Sequence, residues 1–222
     1  MTIHLEPLDP LGRDHDALIR FMTTNEFPFH VGRCPTADEV EMRIATGAFS
    51  SRGIVSLWAM DDVQQIVGLV RLEDLEDAAP LLDLCLGEAW RGRGIGTRVL
   101  RSVTDYVFGS MPAVRRFEGQ TREDNIAMHR IFERCGWAQE AHYREAWPVT
   151  DGDPIGSVAY GIIRRDWLRG TVRLCRSEHA AAPRSTHVVA HPDPAGSRRR
   201  SRRKQRHPGC GSSRRCSRTE RW

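Results

Sequence analysis

The stretch EAWRGRGIGTRVL, residues 88–100, sets three glycines within five residues between an apolar run and a helix-like pattern. Upstream, LLDLCL (residues 81–86) reads as a half-buried strand; downstream, Val99, Leu100, Val103 and Val107 fall on one face of a helix. A helix leaves its first N–H groups without partners and carries partial positive charge there, so a strand-to-helix junction favours phosphate. Glycine lets backbone approach a pyrophosphate with no Cβ in the way, and it permits positive-φ turns that aim successive N–H groups inward. Gly92, Gly94 and Gly96 meet that need, with Thr97 adding a hydroxyl and Arg91 and Arg93 adding charge. A plain tight turn is the other reading. A Rossmann loop does not fit, because the spacing is not G-x-G-x-x-G beside a first strand, and a Walker loop would require the absent G-K-[ST].

Outward from this stretch the chain alternates between two periods. TIHLEPL reads as a strand, residues 14–22 as a helix, and PTADEVEMRIATG as a second helix with a Thr36/Glu39 capping box and Gly47 as its stop. Strand-like runs follow at residues 54–60, 66–72 and 81–86, divided by turn-like clusters. After the glycine helix come a short extended segment, RRFEGQT, and a helix with Ala127, Met128, Ile131, Phe132 and Cys135 on one stripe and Gly136 just past its end. Residues 140–149 and 157–164 then read as strands joined by TDGDPIG, a hairpin signal. The predicted order is β-α-α-β-β-β-α-β-α-β-β, a mixed α/β domain over residues 1–170.

Residues 171–222 are of another kind. They hold 14 Lys+Arg against 3 Asp+Glu, a charge of +11, which leaves −7 for residues 1–170 within a chain of +4. Few large apolar residues and no period predict a disordered tail. An arm for nucleic acid or another acidic partner is one reading of its arginines. An extension without function is the other: Lys204 is the single lysine beside 32 arginines, a mark of biased codon usage in which a shifted reading frame would yield such an end. The six cysteines show no C-x-x-C or Cys/His ligand spacing, so no metal site and no disulfide framework is expected. MTIHLEPLDP has neither a basic nor an apolar leader region, and no run approaches 18 apolar residues, so the expectation is a cytoplasmic protein without a membrane segment.

Taken together, RGRGIG (residues 91–96) resembles the R/Q-x-x-G-x-G/A acetyl-coenzyme A signature of the GCN5-related N-acetyltransferases (GNAT). NIAMHRIFERCGW resembles that family's second motif through Asn125, Ala127, Phe132, Gly136 and Trp137. The resemblance spans about residues 3–168 and is strongest to the ribosomal-protein and small-amine branch. It implies a mostly antiparallel central sheet flanked by helices, with strands four and five splayed. It implies acetyl-CoA as acyl donor, its pyrophosphate on the N–H groups of Arg91, Gly92, Arg93, Gly94, Ile95, Gly96 and Thr97. Its pantetheine arm would pair with Leu84, Cys85 and Leu86, with an N–H near Leu86 facing the thioester carbonyl. Asn125 would contact the arm or, equally, cap its helix.

An amine must lose a proton to attack a thioester. Asp83, which interrupts an apolar run, is one candidate base, since desolvation would raise its pKa; a solvent-facing strand residue is the alternative. Glu118 on the neighbouring strand is the second candidate, or a mere surface acid. Many members of the family carry a tyrosine where Phe132 stands, and its hydroxyl protonates the leaving thiolate. Phenylalanine cannot, so Tyr143, a water, or no group serves here. Phe29 and His30, in NEFPFHVGRCPT, are the expected acceptor contacts. The expected activity is acetyl transfer to a primary amine of a small molecule or a protein N-terminus, by direct attack in a ternary complex, in a monomer or homodimer. A coenzyme-binding module with weakened catalysis and an RNA-associated factor acting through the tail are the competing readings.

Overall fold

The computed structural model describes residues 1–149 and 152–170. What lies past the expected domain boundary at residue 170, the Arg-rich tail with its readings, falls outside the described residues.

The chain runs β1 (His4–Pro7), α1 (His15–Thr24), α2 (Ala37–Ala45), β2 (Val55–Met60), β3 (Ile66–Glu73), β4 (Leu81–Leu86), a 3₁₀ turn (Glu88–Trp90), α3 (Ile95–Ser110), β5 (Arg116–Arg122), α4 (Ile126–Arg134), β6 (Ala138–Trp147), β7 (Ile155–Ile163) and α5 (Arg164–Arg169). This is the order read from the sequence plus the 3₁₀ turn and α5, whose three and six residues are too few to show a period. Local chemistry fixes the helix ends as expected. The Thr36 hydroxyl accepts from the Glu39 N–H while the Glu39 carboxylate accepts from the Thr36 N–H at 2.7 Å, starting α2. Gly47 and Gly136, at φ +78° and +83°, end α2 and α4.

The seven strands form one sheet in the order β1-β2-β3-β4-β5-β7-β6. Every neighbouring pair is antiparallel except β4 and β5. β7, IGSVAYGII, is buried along nearly its whole length, whereas β6, AQEAHYREAW, is largely exposed. The hairpin therefore folds β7 inward against β5 and leaves the polar strand at the edge.

The parallel pair joins Leu81 to Glu118 and Leu82 to Gly119 and goes no further. Beyond Leu82 the two strands part, the splay that the family resemblance implied. Period-two alternation sends the side chains of β4 to opposite faces. Leu82 enters the core beneath α3 and α4, with Val99, Val103, Phe117, Phe132 and Trp137. Cys85 enters a second core beneath α1 and α2, with Leu18, Phe27, Phe49 and Trp58.

Candidate active site

The three glycines of the opening stretch serve two separate purposes. Gly92 and Gly94 adopt left-handed backbone, φ +71° and +77°, and a Cβ at either would meet nothing within 4 Å. They are needed for the turn itself, and they leave open space above it. Gly96 lies inside α3, where a Cβ would come within 2.7 Å of Ile131 Cδ1 and 3.1 Å of Leu86 Cδ1. It lets α3 start against both β4 and α4. Gly94 is the N-cap of α3 and offers no side chain to its first turn, so those N–H groups remain available to an anion.

Arg91 is placed differently from the rest of the loop. Its N–H donates to the Glu88 carbonyl at 3.2 Å. Its guanidinium turns back onto β4, donating to the Leu86 carbonyl at 3.0 and 2.8 Å and to the Glu26 carbonyl. The arginine ties residues 26–27 to the end of β4, and its charge is not left at the loop tip, as the sequence suggested. Arg93 is exposed there, Thr97 is partly buried, and the Ile95 side chain is buried in the core, leaving only its backbone to the loop.

Against the end of β4, between the glycine turn, α4 and the α1–α2 loop, lies a cavity of about 350 Å³. Its lining includes the three glycines, Leu84 and Leu86 of β4, Met128 and Ile131 of α4, and Phe29 and His30 of the α1–α2 loop. Arg130 and Arg134 add positive charge at its α4 side. Along β4 the backbone groups of residues 81, 83, 85 and 87 serve β3, Gly87 donating to Val67 at 3.0 Å. By alternation, those of Leu84 and Leu86 face the gap; the Leu86 carbonyl is taken there by Arg91, which leaves the Leu84 groups and the Leu86 N–H to an extended ligand arm. The Cys85 side chain does not share this wall: it is 5% exposed and points to the opposite face.

Asn125 lines the cavity but has both ends of its amide engaged. Its oxygen accepts from the Met128 N–H at 3.2 Å, capping α4, and its nitrogen donates to Thr121 Oγ1 at 3.0 Å. Phe132 is 1% exposed, stacked on Tyr160 at 4.6 Å between ring centroids, and packed where a Cβ on Gly119 would lie. It supports the floor of the sheet and is absent from the cavity wall.

On the other face of β4 the charged groups meet. Arg71 and Asp83 stand opposite each other in the β3–β4 register, and Arg71 Nη1 donates to Asp83 Oδ2 at 2.9 Å. Arg71 Nη2 also reaches Glu73 at 2.8 Å. Asp83 Oδ1 lies 3.1 Å from His30 Nε2, which lies 3.4 Å from Cys85 Sγ. Burial pushes the Asp83 carboxyl up, but the hydrogen bond and charge of His30 and the charges of Arg71 and Arg43 outweigh it, holding the group well below its ordinary range. The expectation that desolvation would raise Asp83 is thereby reversed. Burial pushes His30 down, and the Cys85 sulfur and Asp83 carboxylate more than reverse that, lifting it well above 6.5. The donor atoms of His30, Asp83 and Cys85 lie within 4.8 Å of one another. Asp83 is already held by Arg71, with the charge of Arg43 acting on it too, so guanidinium charge fills the role a cation would have there.

Glu118 lies on β5 and pairs with Arg116, which bridges to Glu140 of β6. Tyr143 is 48% exposed on the edge strand, with β7 and β5 between it and β4. The structure thus brings Asp83 and His30 together, and it gathers Leu84, Leu86, Gly92, Gly94, Gly96, Thr97, Asn125, Phe29 and His30 around one cavity. It leaves Tyr143 and Glu118 apart from that group. Arg71 was missed by sequence reasoning. Its signal was present: an opposite charge lies inside each of two adjacent apolar strands, Arg71 in IVGLVRLE and Asp83 in LLDLCL.

A central sheet splayed at one parallel pair, with a glycine-capped helix at the splay, is an acetyltransferase fold. Residues 3–138 match the acetyltransferase (GNAT) domain family, and the chain belongs to that family, whose members use acetyl-CoA as acyl donor. Similar solved structures include a point mutant of the spermidine N-acetyltransferase SpeG from Vibrio cholerae (16% identity, 77% of this chain and 99% of that one, TM-score 0.63). The V. cholerae spermidine N-acetyltransferase in complex with CoA and spermine is another (16% identity, 75% and 98%, TM-score 0.61). No curated protein sequence matches the chain. Among the described residues, no helix is long and apolar enough to cross a membrane.

Proposed function

We propose that the protein transfers the acetyl group of acetyl-CoA to a primary amine of a small polycationic acceptor, by direct attack within a ternary complex. The observation that carries this reading is the shared cavity: the uncapped start of α3, the gap-facing backbone of Leu84 with the Leu86 N–H, and the α1–α2 loop all border one space. The pyrophosphate would sit on the glycine turn and the pantetheine arm along β4. The acyl carbonyl would then lie near the Leu86 N–H, which would stabilise the oxyanion that forms when the amine attacks. Asp83 is too acidic, in its pairing with Arg71 and His30, to accept a proton readily at neutral pH. The amine proton is therefore assigned to water.

A polyamine-like acceptor is supported by charge and by likeness. Residues 1–170 carry −7, a field that draws cations. Structures of similar fold are spermidine N-acetyltransferases, one of them holding CoA and spermine. The free thiols of Cys34, Cys85 and Cys135 suit the reducing cytoplasm, where we place the reaction.

The test is calorimetric titration of the full chain with acetyl-CoA, beside a Gly94→Glu variant whose carboxylate would enter the anion cradle. Binding by the parent and none by the folded variant is the expected result. Thiol release with spermidine, spermine and an N-terminal peptide then ranks the acceptors. A folded parent that does not bind acetyl-CoA would overturn the reading.

A further inference from the structure

We propose that His30 is the proton donor to the departing coenzyme thiolate, acting through Nδ1, an inference that rests on the acetyl-transfer reading above. The reaction needs such a donor: as the amine nitrogen bonds to the acyl carbon and the C–S bond breaks, the electron pair stays on sulfur. One proton must reach that sulfur and one must leave the amine nitrogen. The amine proton goes to water, the thiolate takes the proton from imidazolium, and water restores the imidazolium. Phe132 has no proton to offer, and it is buried away from the cavity.

Among the described residues that line the cavity, His30 is the one imidazole, the side-chain type whose ordinary pKa lies nearest neutrality. The other charged groups there are arginines, which keep their protons. The imidazole is also fixed in place. Its Nε2 is held against β4 by Asp83 Oδ1 at 3.1 Å and Cys85 Sγ at 3.4 Å, while no hydrogen bond to Nδ1 is made among the described residues. With Nε2 turned to the sheet, Nδ1 is the nitrogen left to serve the cavity.

The loop bearing the histidine is clamped from both sides of the gap. Arg91 holds the Glu26 carbonyl and lies over the Phe27 ring at 5.7 Å. From β5, Arg122 donates to the Pro28 carbonyl at 3.2 Å and lies over the Phe29 ring at 5.4 Å. Asp83 and Cys85 of β4 touch the imidazole, Arg71 and Glu73 of β3 stand behind Asp83, and Arg43 of α2 completes the charged surround. The balance favours imidazolium, the form a proton donor must have.

The experiment compares the full chain with His30→Gln and Asp83→Asn, measuring coenzyme affinity by calorimetry and kcat against pH with spermidine or the best amine. His30→Gln should bind acetyl-CoA as the parent does yet lose about 10²-fold or more in kcat, the usual contribution of a positioned acid. The parent's kcat should fall on the alkaline side as His30 loses its proton. That limb should vanish in His30→Gln and move to lower pH in Asp83→Asn, a displacement that a merely structural histidine would not produce. A parent that binds acetyl-CoA but acetylates no amine sinks the enzymatic reading and this one together. An active parent whose alkaline limb survives in His30→Gln, or stays fixed in Asp83→Asn, overturns this inference alone.

Discussion

β4 divides two regions that are built from different parts of the chain. On the α3–α4 side, Leu84, Leu86 and the glycine turn offer a ligand chiefly backbone: N–H groups of a helix start and the free edge of a strand. On the α1–α2 side, Asp83 and Cys85 offer side chains, and each is already in contact with another element, Arg71 from β3 and His30 from the loop. A backbone site needs little from its side chains beyond their absence at the right positions. A side-chain site exists only as the sum of partners brought from distant places in the sequence, and removing one partner leaves the others wrongly charged.

That difference predicts its own largest effect. Arg71 has a side chain 7% exposed and shared between Asp83 and Glu73. Arg71→Met leaves Asp83 without its main guanidinium and should destabilise the fold by about 3–5 kcal/mol in urea titration. Replacing both members, Arg71→Met with Asp83→Leu, should recover part of the loss, because the Asp83 charge goes with it while Glu73 still loses its bond to Arg71 and His30 its bond to Asp83. A single Arg71→Met variant as stable as the parent would show that the α1–α2 side does not depend on this pairing.

The glycine turn should respond in another manner, with effects next in size. Gly96→Val forces a side chain against Ile131 and Leu86 and should cost about 1–3 kcal/mol through overpacking. Gly92→Ala meets no atom and should cost about 1–2 kcal/mol through its left-handed backbone alone. Asparagine separates the two causes. It tolerates left-handed backbone, so Gly92→Asn should be milder than Gly92→Ala, whereas Gly96→Asn should be no milder than Gly96→Ala. Equal responses at both positions would refute the division of labour between them.

The same contrast explains what could be read from the sequence. Gly92, Gly94 and Gly96 were legible because left-handed turns and close approaches leave their mark as glycine at the place where they occur. The helix ends at Thr36, Gly47 and Gly136 were legible for the same local reason. The pairing of Asp83 with His30 and Arg71 was not, because it requires the loop's place against β4 and the β3–β4 register, and the reversal of its expected pKa followed from missing those partners. Nor could the sequence show that Arg91 turns back to Leu86 and Glu26, since an arginine in a glycine loop reads as charge for a phosphate until its direction is known. The inward place of β7 was legible only in composition, as the more apolar member of its hairpin.

Asn125 sits where the two modes meet, a side chain serving backbone. Asn125→Ala removes the cap on Met128 and the bond to Thr121, and should lower stability by about 1 kcal/mol in urea titration. If the residue acts only as a cap, acetyl-CoA affinity should be kept once the variant is folded. A loss of affinity far beyond the loss of stability would give it a direct contact with the coenzyme.

The smallest effect expected is a pH dependence of stability, and its sign distinguishes the two titrating partners. His30 is lifted above its ordinary 6.5 on folding, so its stabilising contribution is complete below pH 6.5 and fades as pH rises through the folded value. Asp83 is lowered from 3.8, so its contribution is present above pH 3.8 and fades only in strong acid. At neutral and mildly alkaline pH, therefore, the histidine alone of this pair should change. The difference in Tm between the parent and His30→Gln should be largest below pH 6.5, short of the strong acid that protonates Asp83, and shrink as the pH is raised well above it. The change should be modest, because the imidazole is 33% exposed and solvent screens part of its interaction with Asp83. A difference that grew with pH would mean that the folded protein prefers neutral imidazole, and the contacts of Nε2 with Asp83 and Cys85 would then have to be made by a ring that carries a single proton, with no second one left for the cavity.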